Sequence, residues 1–277
     1  MPSAHLDPDD VKRQAEYRFD FDRRGLAGRV VLVPGGAGGL GAAITAMLLK
    51  DGALPVVGYR SNRGRALVFQ QKMQDIYGGL ITLVEGDVAD PAVRERFFET
   101  ALNVKNEIYG LVALTGDPAR VSPQNLDGPA LHASFSANFE APVLLARRAA
   151  ELMTAKGTKG AIVMLASMQA VAPFAGSLAY AAPKAALVHA ARILAKEHGG
   201  ARDIRVNVVA PGATTAGMAR ASIESGKYDA FVERGVIPRF GRPEDVARVV
   251  RLLLEPDCYL TGQVITVDGG LTLRREG

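Results

Sequence analysis

Arg29-Val30-Val31-Leu32-Val33 runs directly into Pro34-Gly35-Gly36-Ala37-Gly38-Gly39-Leu40-Gly41, and an alanine- and leucine-rich stretch follows to Lys50. A β-branched run, a glycine turn and a helix-forming stretch make one strand–turn–helix unit. Glycine in such a turn permits positive φ and lets backbone N–H groups approach a pyrophosphate at the helix N-terminus. Two spacings fit: Gly36, Gly38 and Gly41 as G-x-G-x-x-G, or Gly35, Gly39 and Gly41 as G-x-x-x-G-x-G. No Lys-Ser/Thr follows the last glycine, which excludes a P-loop. Alone, the string is also compatible with a plain tight turn. At the head of a chain that keeps alternating strand and helix, it points to dinucleotide binding.

The alternation continues to the C-terminus. Strands are expected at Arg29–Val33, Val56–Tyr59, Leu80–Glu85, Ile108–Leu114, Ala161–Ala166, Arg205–Val209 and Val264–Val267. Helices are expected at Gly39–Lys50, Arg63–Tyr77, Pro91–Asn103, Phe135–Ala155, Leu178–His198 and Pro243–Leu254. Repeated strand–helix–strand units give parallel strands with right-handed crossovers. Several strands are continuous apolar runs, as expected when helices cover both faces of the sheet. The fold class is therefore α/β, a single doubly wound domain over 26–277 with about seven parallel strands. The ligand crevice of such a sheet lies beyond the carboxyl ends of the strands. Residues 213–237, with Met218, Ile223, Tyr228 and Phe231 among polar neighbours, form a looser segment that interrupts the alternation. Residues 1–25 read as an N-terminal arm, extended or disordered. In it Tyr17, Phe19 and Phe21 alternate with charges and give an extended segment one face for docking.

With 48% hydrophobic and 22% charged residues the chain has an ordinary globular composition. Its 33 basic and 29 acidic side chains leave a net charge of +4. A small, scattered excess of this kind does not argue for nucleic acid, and no run is apolar enough for a membrane span. The single cysteine, Cys258, excludes an internal disulfide and fits a reducing compartment, so a cytoplasmic protein is expected. His5, His132, His189 and His198 form no pair at metal-ligand spacing, and no metal site is expected.

Which dinucleotide would bind depends on the end of the second strand. An acid about 20 residues past the glycine turn would bind the ribose hydroxyl of NAD, whereas arginine accepts the 2′-phosphate of NADP. Tyr59-Arg60-Ser61-Asn62-Arg63 holds no acid there. NADP(H) is the expected cofactor and NAD the weaker fit. A merely solvated basic turn would explain the arginines but not the missing acid.

Ser167 ends the fifth strand, Tyr180 follows 13 residues later, and Lys184 lies at i+4 on the same helix face. Joined to the glycine turn, these residues resemble the short-chain dehydrogenase/reductase family over about Gly28 to Leu273. Further matching pieces are Asp87-Val88, Asn138, Asn207-x-x-x-Pro211-Gly212 and Val267-Asp268-Gly269-Gly270. Gly241-Arg242-Pro243-Glu244-Asp245-Val246-Ala247 is similar to the 3-oxoacyl-(acyl-carrier-protein) reductase branch. The resemblance implies a Rossmann fold, a nicotinamide cofactor, a small carbonyl or alcohol substrate, a homo-oligomer, tetramer or dimer, and a mobile substrate lid at residues 213–237.

It also implies roles. Tyr180 would be the acid/base, Lys184 the charge that tunes it, Ser167 the donor to the substrate oxygen, and Asn138 the holder of a proton-relay water. A lysine ammonium about 4 Å away, at an effective dielectric near 20, would lower the phenol by roughly 3 pH units. The cofactor contacts would come from Gly35, Gly36, Gly38, Gly39, Leu40, Gly41, Tyr59, Arg60, Ser61, Asp87, Val88, Gly116, Tyr180, Lys184, Pro211, Gly212 and Thr214. The chain departs from the family pattern at four places. Pro34 replaces a threonine, Ala113-Leu114-Thr115-Gly116 replaces Asn-Asn-Ala-Gly and removes bracing side chains, and Ala216 replaces a threonine. Pro183 replaces a serine beside Lys184 and would remove one helical hydrogen bond. These departures leave a second reading, a catalytically weak NADP-binding subunit of a larger complex.

Overall fold

The computed structural model describes residues 7–18 and 25–273. Seven strands form one parallel sheet: β1 (Val30–Val33), β2 (Leu54–Tyr59), β3 (Thr82–Glu85), β4 (Gly110–Ala113), β5 (Ala161–Leu165), β6 (Arg205–Pro211) and β7 (Val264–Val267). Their order across the sheet is β3-β2-β1-β4-β5-β6-β7. The first three strands build outward from β1 in one direction and β4 starts again on its other side. This reversal splays the connections apart at the carboxyl ends of β1 and β4 and opens a crevice there.

The helices are α1 (Pro8–Ala15), α2 (Gly39–Lys50), α3 (Arg63–Tyr77), α4 (Pro91–Val104), α5 (Gly128–Phe135), α6 (Ala141–Lys156), α7 (Leu178–His198), α8 (Arg220–Glu224), α9 (Asp229–Glu233) and α10 (Pro243–Leu254). Side chains of a strand alternate between faces, and β1 is apolar on both. Val30 and Leu32 join a core with Phe97, Phe98, Leu145, Met153 and Leu187 of α4, α6 and α7. Val31 and Val33 join a second core with Ile44 and Leu48 of α2 and Val246, Val250 and Leu253 of α10. Each of these side chains contributes about 1.5–3 kcal/mol by leaving water.

Buried Arg205 on β6 ties α10 to the sheet. Its guanidinium donates to the carbonyls of Leu253 (2.9 Å) and Glu255 (2.8 Å) and to the Tyr109 hydroxyl (3.2 Å). Tyr109 Oη in turn donates to the Leu254 carbonyl at 2.6 Å. The cation thus meets the carbonyls that a helix end leaves without partners.

Three expectations need correction. The arm is not wholly extended or disordered: Pro8–Ala15 is helical, started by Asp7, whose carboxylate accepts from Asp9 N. Tyr17 is 85% exposed, and Phe19 and Phe21 lie outside the described residues. The single helix expected from Phe135 begins earlier, at Gly128 behind the Asp127 cap, and passes through a π-turn at Ser136–Glu140 before α6. Such a turn inserts one residue and rotates the helix beyond it, which places Asn138 inward. The segment expected as a loose lid has structure of its own. It contains α8 and α9, and Ile237 anchors it in a small cluster with Met168 and Leu271.

Candidate active site

The glycine turn uses one of its two possible spacings. Gly35 and Gly39 take positive φ, +80° and +54°. Gly41 lies so close beneath the turn that a Cβ would stand 2.6 Å from Gly36 Cα. Gly36 has no room for a side chain either, since a Cβ would stand 2.8 Å from the Val33 carbonyl oxygen, but Gly38 has room and no positive φ, so the backbone conformation follows G-x-x-x-G-x-G. Gly36 is buried, with its N–H on the Val33 carbonyl and its own carbonyl accepting from Thr45 Oγ1 at 3.1 Å. It closes the turn and lines neither of the two cavities of the crevice. Gly38 N-caps α2, whose first turn carries no acid, so its free N–H groups face the crevice uncompensated.

Two adjoining cavities of about 880 and 860 Å³ fill the crevice and share Gly35, Leu114, Gly116, Arg120 and Met218. The first takes in Tyr59, Arg60, Asp87 and Val88. The second takes in Gly38, Gly39, Leu40, Gly41, Ser167, Tyr180, Lys184, Pro211, Gly212 and Thr214. All the expected residues therefore meet in one place except Gly36, Ser61, which is exposed on the rim, and Asn138, which is buried behind Gly116. Of the expected lid residues, Met218 and Tyr228 line the second cavity, whereas Phe231 packs into the Ile237 cluster. Arg120 donates to the Met218 carbonyl at 3.3 Å and bridges the lid to the loop after β4. Neither Arg120 nor this bridge was foreseen, because no local pattern marks a loop residue that meets a partner 98 positions away. The second cavity's lining contains no carboxylate.

At the far rim the missing acid is supplied by another strand. Parallel pairing sets Glu85 of β3 beside Tyr59 of β2, and Tyr59 Oη donates to Glu85 Oε2 at 2.9 Å. Desolvation first, then the Glu85 carboxylate, pushes the Tyr59 phenol up, while Arg63 pulls it down. Arg60 lines the same cavity, and Arg65 Nη2 reaches the glycine turn, 3.5 Å from where a Gly38 Cβ would stand. Arg60 and Arg65 thus stand along the crevice between this Tyr59–Glu85 pair and the glycine turn.

At the near end, β5 delivers Ser167, which is 9% exposed, and α7 delivers Tyr180 and Lys184 one turn apart. Burial pushes the Tyr180 phenol up to about 12, and the neighbouring Ser167 hydroxyl works against that rise. Lys184 is 2% exposed, and Nζ donates to the carbonyls of Leu165 (2.9 Å) and Thr115 (3.3 Å). Burial lowers its ammonium to about 7. The expected lowering of Tyr180 by Lys184 is not what this geometry produces. Desolvation outweighs every other influence on the phenol, and the ammonium is turned onto backbone oxygens instead.

The lost bracing of Ala113–Gly116 is replaced by backbone. Besides the Thr115 carbonyl on Lys184, Asn138 Oδ1 accepts from Asp117 N (3.1 Å), and Nδ2 donates to Asp117 O (2.9 Å) and Ser134 Oγ (3.1 Å). A Cβ on Gly116 would meet Asn138 Oδ1 at 2.7 Å and Lys184 Nζ at 3.2 Å, so only glycine lets both groups close on this point. Thr115 Oγ1 is buried here without a partner.

These features fit a dinucleotide: an open helix N-terminus, a tight glycine cradle, an arginine rim and an elongated crevice of the right reach. Among the described residues no His/Cys/Asp/Glu cluster has metal-site geometry, and no helix is long and apolar enough to cross a membrane.

A family model described as Enoyl-(Acyl carrier protein) reductase matches residues 35–272. An uncharacterized oxidoreductase of Methylorubrum extorquens is 32% identical over 253 residues, 89% of this chain and 98% of its own. The 3-oxoacyl-(acyl-carrier-protein) reductase of Thermotoga maritima is 30% identical over 256 residues, 90% of this chain and 99% of its own. A solved short-chain type dehydrogenase/reductase from Mycobacterium ulcerans superposes with a TM-score of 0.84 at 28% identity, covering 91% of this chain and 92% of that one.

Proposed function

The chain belongs to the short-chain dehydrogenase/reductase family of oxidoreductases, and we propose that it is an NADPH-dependent reductase converting a ketone or oxoacyl group to a secondary alcohol, with Tyr180 as proton donor. The dinucleotide, when bound, supplies the hydride. Gly38, Gly39, Leu40 and Gly41 offer the pyrophosphate their N–H groups, while Gly35, whose own N–H is taken by the Gly58 carbonyl, leaves room for it to approach. Arg60, with Arg63 and Arg65, takes the 2′-phosphate, and Tyr59 and Ser61 shape that rim. Asp87 and Val88 border the adenine, Gly116 and Thr214 the middle of the cofactor, and the Pro211–Gly212 backbone the carboxamide.

The observation that carries this reading is the convergence of Ser167, Tyr180 and Lys184 on one cavity, where burial pushes the Tyr180 phenol up to about 12. Such a phenol is protonated at any physiological pH, as the acid of a ketone reduction must be. Ser167 orients the carbonyl oxygen. As the carbon gains a hydride, Tyr180 Oη gives its proton to the developing alkoxide, a stronger base than phenolate. Lys184, held near pH 7, passes a proton back to the phenolate and is itself refilled from solvent. Asn138 keeps the Gly116–Asp117 segment in place, with an Oδ1 lone pair left for a relay water. The backbone bracing of Lys184 and Asn138 supports an enzyme over a weakly active subunit. Leu144 and Ile193, 42% and 46% exposed on α6 and α7, support a homo-oligomer, and the lone cysteine supports a cytoplasmic setting.

The test is the decay of NADPH absorbance with a panel of ketones and oxoacyl thioesters. Tyr180→Phe should reduce turnover by about 10²-fold or more. Turnover indifferent to that change would overturn the mechanism, and NADPH binding with no turnover of any carbonyl would favour the subunit reading.

A further inference from the structure

Helix α7 carries an internal proline, Pro183, between Tyr180 and Lys184. In an α-helix the N–H of residue 183 would donate to the carbonyl of residue 179. Proline has no N–H, so the Ala179 carbonyl loses its helical partner, and it does so where Ala179 is only 4% exposed. A buried carbonyl in that position needs another donor.

Ser134 on α5 provides it. This side chain is 3% exposed, and its Oγ donates to the Ala179 carbonyl at 2.6 Å. The same oxygen accepts from Asn138 Nδ2 at 3.1 Å. A hydroxyl has one proton to give, so the direction of both bonds is determined. The other bonds of the Asn138 amide go to the Asp117 backbone, next to the glycine that separates Asn138 from Lys184. An unbroken line therefore runs from the Gly116–Asp117 segment through Asn138 and Ser134 to the turn of α7 that bears Tyr180 and Lys184.

We propose that Ser134 is a positioning residue of this enzyme: its hydroxyl replaces the hydrogen bond that Pro183 removes from α7 and thereby holds Tyr180 and Lys184 in register with Asn138. The proposal deepens the reductase reading and rests on it for its catalytic half. Its structural half stands on the hydrogen bonds alone. Ser134 and Pro183 act as a pair: the proline creates the vacancy, and the serine fills it from a neighbouring helix.

The test is a cycle of wild type, Ser134→Ala, Pro183→Ala and the double variant, with Ser134→Thr as the conservative control. Ser134→Ala should lower the thermal midpoint by about 2–5 °C. It should lower kcat about 10-fold while KM for NADPH and for the ketone stays within about 2-fold, because the loss is one of alignment. Pro183→Ala restores the N–H, so in that background Ser134→Ala should cost less than half as much in both midpoint and kcat. Ser134→Thr should keep most of the activity. Equal losses from Ser134→Ala with and without the proline overturn the proposal, and so does a midpoint rescued by Pro183→Ala while kcat never moved. If wild type reduces no carbonyl at all, the reductase reading fails. The coupling of the two midpoints then still upholds or overturns the replacement of the lost bond.

Discussion

Lys184→Met should alter stability in a pH-dependent way whose size is set by the burial of the amine. Enclosure lowers the ammonium from 10.5 to about 7. The unfolded chain keeps the ordinary value, so between these limits it binds more protons than the native protein, and native stability rises with pH. The penalty for burying the charge is fully present below the native value and vanishes as pH climbs to the unfolded one. At about 1.36 kcal/mol per unit it amounts to about 5 kcal/mol near pH 6.5 and about 1–2 kcal/mol near pH 9.5, a change of about 3 kcal/mol. From the average entropy per residue, a chain of 277 residues unfolds with about 0.6 kcal/mol/K, so this change corresponds to about 5 °C. Methionine retains the stem and cannot be protonated. It also loses the bonds to the Leu165 and Thr115 carbonyls, a constant offset that cancels when two pH values are compared. The assay is the thermal midpoint of wild type and variant at both pH values. Relative to wild type, the variant should melt about 5 °C higher at the acid end than at the alkaline end. A difference that does not change with pH, or changes in the opposite sense, would refute the argument and place the lysine's titration near its solvated value.

Two other perturbations probe the tie between β6 and α10 and the arginine rim. Arg205→Met strips the donors from the Leu253 and Glu255 carbonyls and from Tyr109, and should cost about 2–4 kcal/mol, or roughly 3–7 °C in midpoint. A midpoint within about 1 °C of wild type would mean the end of α10 is held by packing alone. Glu85→Gln removes the carboxylate beside Tyr59 and should tighten NADPH by about 2- to 5-fold at low salt, less at high salt, and leave NADH unchanged. Equal tightening of both nucleotides, measured by fluorescence titration, would remove the 2′-phosphate from this rim.

Much of the fold was legible because its signals are local. The glycine turn after β1, the bounds of α2, α3, α7 and α10, and the i+4 relation of Tyr180 and Lys184 depend only on backbone geometry within one element. The π-turn was not legible, since nothing in Phe135–Ala155 departs from a helical pattern: the extra residue is tolerated because burying Asn138 against Asp117 rewards it. The acid opposite Tyr59 escaped notice for a related reason. It sits 26 positions away and arrives only through the register of β2 and β3.

By itself the sequence determined the doubly wound sheet, the glycine turn after β1, and the residue types that meet at its edge, because strand and helix periods and turn chemistry are properties of neighbouring residues. Tertiary structure alone decided which way the Lys184 ammonium points, that desolvation rather than a neighbouring cation governs Tyr180, and that Ser134 stands in for the N–H missing at Pro183. Those outcomes depend on how deeply a group is buried and which distant carbonyl lies within about 3 Å of it, and both quantities exist only once separate elements have packed.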